Sequence, residues 1–128
     1  MKKLSILLTL IGIAQLVLGI SLLLIPQPFA AWMGLSPTGA DINYLFGMLA
    51  ARFIAYGIGM FFIAREPARH PFWINNMILI QAVDLAVGLF YTLNGTLTLK
   101  VSAFPMFNAA IFTLLLLLWR PKGQEGKA

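Results

Sequence analysis

Arg52 stands out for its chemistry, a permanent cation inside the apolar run "GMLAARFIAYGIGM" (47–60). A charge at mid-bilayer costs about 2.5–3.5 kcal/mol on the most lenient insertion scale, so it needs a partner or a wet cavity. The chain has four carboxylates, Asp41, Glu66, Asp84 and Glu125, and only Asp84 falls within a long apolar run. Depth can be counted from the basic or proline-marked ends of these runs. The interval from Arg52 forward to Arg65 equals the interval from Pro71 to Asp84. At about 1.5 Å per residue both side chains sit about 20 Å in, beyond the midplane. Gln15 follows Lys3 by the same interval that separates Asn108 from Arg120, one position shorter than the first two. One strongly polar residue per run thus falls at nearly one height, with Asp84 expected as counter-ion to Arg52.

Neighbours at helical spacing widen this layer. Tyr56 is four residues beyond Arg52, and Gln81 is three before Asp84. Gly12 and Gly19 bracket Gln15, while Ala51, Ala55 and Gly59 form a ladder of small residues beside Arg52, a pattern suited to close helix contact. The layer has two readings. Side chains that bond across helices can simply lock one packing. Alternatively, the layer holds a ligand, proton or ion, with Asp84 as the titratable group. Phe46, Phe53, Phe90, Phe104 and Phe112, if turned inward, would wall a pocket for a small lipophilic molecule or an anion beside Arg52.

Catalysis has little support. No Ser–His–Asp set, paired carboxylate, HExxH or phosphate-cradling glycine loop is present. The chain has no cysteine, which removes disulfides, thiolate metal sites and iron–sulfur ligation. The one histidine, His70 in "REPARHP", reads as a solvated turn residue without ligand partners. No metal site and no cofactor are expected.

The elements that must carry the layer are membrane spans. Of 128 residues, 60% are hydrophobic and only 10% charged, against about half and a quarter in soluble domains. Mean hydropathy is +0.89. Four apolar stretches stand out, 4–25, 43–64, 72–92 and 101–119. Each is close to the roughly 20 residues that cross the hydrocarbon as a helix. The first is too long for a signal-peptide core and lacks a good cleavage site, so it reads as an uncleaved span. The expected fold is all-α, a single integral membrane four-helix bundle over 1–120 with antiparallel up-down-up-down order and a polar, disordered tail at 121–128.

The net charge of +5 is an orientation signal rather than a nucleic-acid footprint. Lys2, Lys3, Arg65, Arg69, Arg120, Lys122 and Lys127 share one side of the predicted bundle, and Lys100 is on the other. That asymmetry predicts both termini in the cytoplasm, and a weak attraction for anionic lipid.

The loops carry finer expectations. Pro26 and Pro28 end the first helix. Phe29 and Trp32 could anchor a short helix at the lipid–water boundary, or the segment could fold back as a lid. The turn 65–71 is short enough to make the second and third spans antiparallel neighbours. Asn94-Gly95 signals a turn, and the alternating Thr96 to Leu99 suggests a brief extended piece. Pro105 is expected in the first turn of the last helix.

With its four short spans, "IPQPFAAWMGL" after the first and "ARFIAYGIGMFFIAR" in the second, the chain resembles the DoxX-like superfamily of small bacterial inner-membrane proteins. The resemblance implies a four-helix fold in the bacterial cytoplasmic membrane; a few such proteins are linked to respiratory or sulfur-compound redox systems. Only Arg52 matches a recurring position, without an agreed role. The leading expectation is a non-enzymatic membrane protein that binds a small lipophilic molecule or anion through Gln15, Arg52, Tyr56, Gln81, Asp84 and Asn108. The alternative is an accessory or structural subunit of a membrane complex, possibly redox-linked. Partners are the bilayer, a small ligand, and a second copy or complex subunit.

Overall fold

The computed structural model describes residues 2–36 and 39–121. Among them are five α-helices and one 3₁₀ turn, with no strand: α1 (Lys2–Leu24), α2 (Pro26–Trp32), α3 (Ile42–Ala64), the turn Pro67–Arg69, α4 (Pro71–Leu93) and α5 (Leu99–Trp119). Four of them, α1, α3, α4 and α5, are long and apolar enough to cross a membrane. This is a multi-pass membrane protein. The tail read as disordered lies, from residue 122 on, outside the described residues.

The helix ends follow local chemistry. Pro26 cannot continue α1 but suits the first position of α2, where its missing N–H has no helical partner anyway. α2 closes with Gly34 at φ 90°. Gly34 N–H bonds the Ala31 carbonyl and Leu35 N–H the Ala30 carbonyl, each at 3.0 Å, the paired bonds of a Schellman stop that a Cβ would strain. Gly95, at φ 87°, turns the chain after α4. Here the reading of an extended Thr96–Leu99 is corrected. Asn94 Oδ1 accepts from Thr96 N–H at 2.9 Å, Thr98 caps α5 through Val101 N–H, and Leu99 is already helical. Because capping begins the helix at Leu99, Pro105 stands inside α5 rather than in its first turn. It withholds one backbone donor there.

The chain divides into two compact units. One is Leu8–Phe62; the other comprises the described residues of Met1–Leu7 and Ile63–Ala128. In the first unit α1 buries Leu8, Ile11, Gly12, Gln15, Gly19 and Leu22, a stripe at spacings of three and four that marks one helix face. Its glycines lie against α3. A Cβ built on Gly12 would be 3.0 Å from the Gly57 carbonyl oxygen, and one on Gly19 would be 3.0 Å from the Ala50 carbonyl oxygen. Rising numbers on α1 meet falling numbers on α3, so this pair runs in opposite directions. α2 is tied to the start of α3 by Gln27 Nε2 donating to Asn43 Oδ1 at 2.8 Å. Phe29 and Trp32 stack at 5.9 Å on α2, and Trp32 is exposed.

In the second unit α4 buries Ile74, Met77 and Gln81, and α5 buries Ser102, Ala109 and Leu116. Contacts between them again join rising to falling numbers. Arg120 Nη1 donates to Asn75 Oδ1 at 3.0 Å, Met106 packs on Gly88, and the Thr92 and Ser102 hydroxyls bond at 2.7 Å. Lys3 Nζ lies 5.8 Å from the centroid of the Trp119 ring, a cation–π distance. Arg69 and Glu66 pair at 3.2 Å on the exposed turn before α4.

Candidate functional site

In the first unit the residue that sequence spacing marked on α1, Gln15, is 5% exposed. It shares the face of Gly12 and Gly19, whose close approach to α3 leaves room for nothing larger. Among the described residues the Gln15 amide makes no hydrogen bond. An amide carries two donors and an acceptor with two lone pairs, and leaving such a group buried without a partner costs about 1–3 kcal/mol. The interior of this span therefore holds unused polar capacity.

Arg52 is on α3 and exposed. Its guanidinium turns back one helical turn, with Nη1 donating to the Met48 carbonyl at 2.9 Å. Five donors are available on the fork, so most remain for a further acceptor. Tyr56 is half-buried one turn on. The small-residue ladder beside Arg52 is open: Ala51 and Ala55 are exposed, and a Cβ on Gly59 would meet nothing within 4 Å.

In the second unit Gln81 is 3% exposed. Its Nε2 reaches Met77 Sδ at 3.5 Å, and a thioether is a weak acceptor. Asp84, three residues on, is exposed, and among the described residues its carboxylate has no hydrogen-bond or ion-pair partner. Asn108 on α5 is half-buried. The polar contacts between α4 and α5 come from elsewhere. Thr92 Oγ1 bonds the Gly88 carbonyl and Ser102 Oγ, each at 2.7 Å, and Ser102 Oγ donates to the Thr98 carbonyl at 3.2 Å.

The six predicted residues thus divide between the units, Gln15, Arg52 and Tyr56 in one and Gln81, Asp84 and Asn108 in the other. The proposed aromatic wall is only partly turned inward. Phe90 and Phe104 are exposed, whereas Phe46, Phe53 and Phe112 are half-buried. Sequence spacing missed Thr92, Ser102 and the Gln27–Asn43 bond. Thr92 and Ser102 flank a glycine turn, an arrangement that could have paired them.

His70 joins the 3₁₀ turn to α4 and is half-buried, and its carbonyl accepts from Ile74 N–H at 3.2 Å. Among the described residues no group of three or more His, Asp or Glu could hold a metal.

No family model, curated protein or solved structure matches this chain. What the protein does must therefore be argued from its own residues.

Proposed function

We propose that this is a four-span protein of the bacterial cytoplasmic membrane, arranged up-down-up-down with both termini in the cytoplasm. Its polar residues Gln15, Arg52, Tyr56, Gln81, Asp84 and Asn108 form a layer that binds a small lipophilic molecule or an anion. The asymmetry of Lys and Arg supports the orientation, and the DoxX-like resemblance supports the compartment.

The observation that carries the binding role is Gln15, buried within a span yet without a hydrogen bond among the described residues. A bound molecule offering a carbonyl or hydroxyl would satisfy that amide, and Arg52, with donors to spare, would take its more acidic end. The test is to purify the protein in mild detergent and identify retained small molecules by mass spectrometry. Wild type is expected to retain one species, and Gln15→Leu to retain it about tenfold less, the equivalent of one lost hydrogen bond. Equal retention by wild type, Gln15→Leu and Arg52→Ala contradicts the proposal.

A second reading is supported by the open face of Ala51, Ala55 and Gly59. A helix of another membrane protein could pack there, making this chain an accessory subunit of a larger, possibly redox, complex. A stable heteromeric partner recovered from native membranes would favour it.

A further inference from the structure

The two charged residues of the spans have complementary chemistry and no settled partner. Arg52 is exposed on α3 and spends one donor on its own helix. Asp84 is exposed on α4 with no hydrogen-bond or ion-pair partner among the described residues. Hydrocarbon cannot solvate either group.

Their heights match. Arg52, counted back from Arg65, and Asp84, counted on from Pro71, stand equally far along the chain from the cytoplasmic ends of their helices. A two-fold axis along the membrane normal keeps every residue of a copy at its own depth. Such a dimer can therefore bring Arg52 of one copy to Asp84 of the other only if the depths agree, and it then forms the contact twice.

The surroundings fit a helix contact. On α3, Leu49, Ala51 and Ala55 are exposed around Arg52, and Gly59 has open space beyond it, so a neighbouring backbone can come close. On α4, Val83 and Val87 are exposed around Asp84, a low surface that lets the carboxylate reach out.

We propose that two copies of this chain pair in the membrane, the α3 face of each against the α4 face of the other, with Arg52 bonded to Asp84 of the second copy. A planar guanidinium and a carboxylate can meet through two parallel hydrogen bonds. The occupant of the open face is then a second copy rather than a different subunit. This inference rests on the proposed membrane orientation but not on the ligand, whose retention is measured separately.

The test exploits an exchange of charge. Two differently tagged chains are co-expressed, one carrying Arg52→Asp and the other Asp84→Arg. In a mixed dimer both contacts again join opposite charges, whereas a dimer of either variant with itself joins like charges. The mixed pair is expected to co-purify about tenfold better than two tagged copies of either variant, since like charges across an interface repel strongly. Equal recovery in all combinations overturns the proposal, and it is the result that pairing within one chain would give.

A second arm keeps the native charges, so failed insertion of a charge variant cannot leave the question open. The chain has no cysteine of its own. Leu49 and Val87 are also equally far from Arg65 and Pro71 respectively, and both are exposed. Co-expressed Leu49→Cys and Val87→Cys chains are expected to form an inter-chain disulfide under oxidant about tenfold faster than Leu10→Cys with Val87→Cys, because packing holds the first pair near bonding distance. No difference between the two combinations overturns the dimer.

Discussion

The α1–α3 pair and the α4–α5 pair solve one problem in different ways. Lipid tails are as apolar as leucine, so burying apolar surface does not drive helices together within a membrane, and close packing and hydrogen bonds must do it. α1 and α3 use the first. Gly12, Gly19 and Gly57 let each backbone approach the other until a Cβ at any of these positions would be 3.0 Å or less from its nearest atom. α4 and α5 use the second, joined by Thr92–Ser102 and Arg120–Asn75. The lesson is that a glycine matters according to what faces it. Backbone cannot move aside, but a flexible side chain can.

The largest expected effect falls on the glycine seam. A Cβ on Gly19 would meet Ile54 Cγ1 at 2.8 Å and two backbone atoms at 3.0 Å. Gly19→Ala is therefore expected to lower stability by about 1–3 kcal/mol, the usual range for overpacking, as read by detergent-denaturant titration. Gly88→Ala should cost less than about 1 kcal/mol, because its obstacle is Met106, an adaptable side chain. Equal losses at the two sites would break the comparison.

Smaller still is the hydroxyl bond. Thr92→Val should cost about 0.6 kcal/mol, the average for a hydrogen bond between membrane helices, and combining it with Ser102→Ala should add little. Full additivity in that double-mutant cycle would show that the 2.7 Å contact carries no coupling energy. Least of all should Gly59→Ala change the stability of the isolated chain, since nothing stands within 4 Å of the added carbon.

Much of this fold can be read from sequence because apolar length is a strong signal. The expected spans 4–25, 43–64, 72–92 and 101–119 differ from the observed long helices by no more than two positions at either end. Capping explains the discrepancy with most consequence: Thr98 starts α5 early and leaves Pro105 inside it. Azimuth is harder to read than depth. These helices are apolar on nearly every side, so no periodicity tells which face is buried. Gln15 and Gln81 are buried, but Arg52, Asp84, Phe90 and Phe104 are exposed, and counting along the chain cannot separate those groups. The Gln27–Asn43 bond links α2 to the start of α3, a contact that only the tertiary path reveals.

The claim beneath all of this is that Arg52 and Asp84 lie within membrane spans of defined orientation. Because the chain has no cysteine, single-cysteine labelling tests it directly. Ser36→Cys, Ala68→Cys, Thr96→Cys and Ala55→Cys chains would be exposed to a membrane-impermeant maleimide, before and after permeabilisation of intact cells. Reaction from outside at positions 36 and 96, at 68 only after permeabilisation, and at 55 in neither condition is the predicted result. Labelling of position 68 from outside, or of position 55 before the membrane is dissolved, would contradict it.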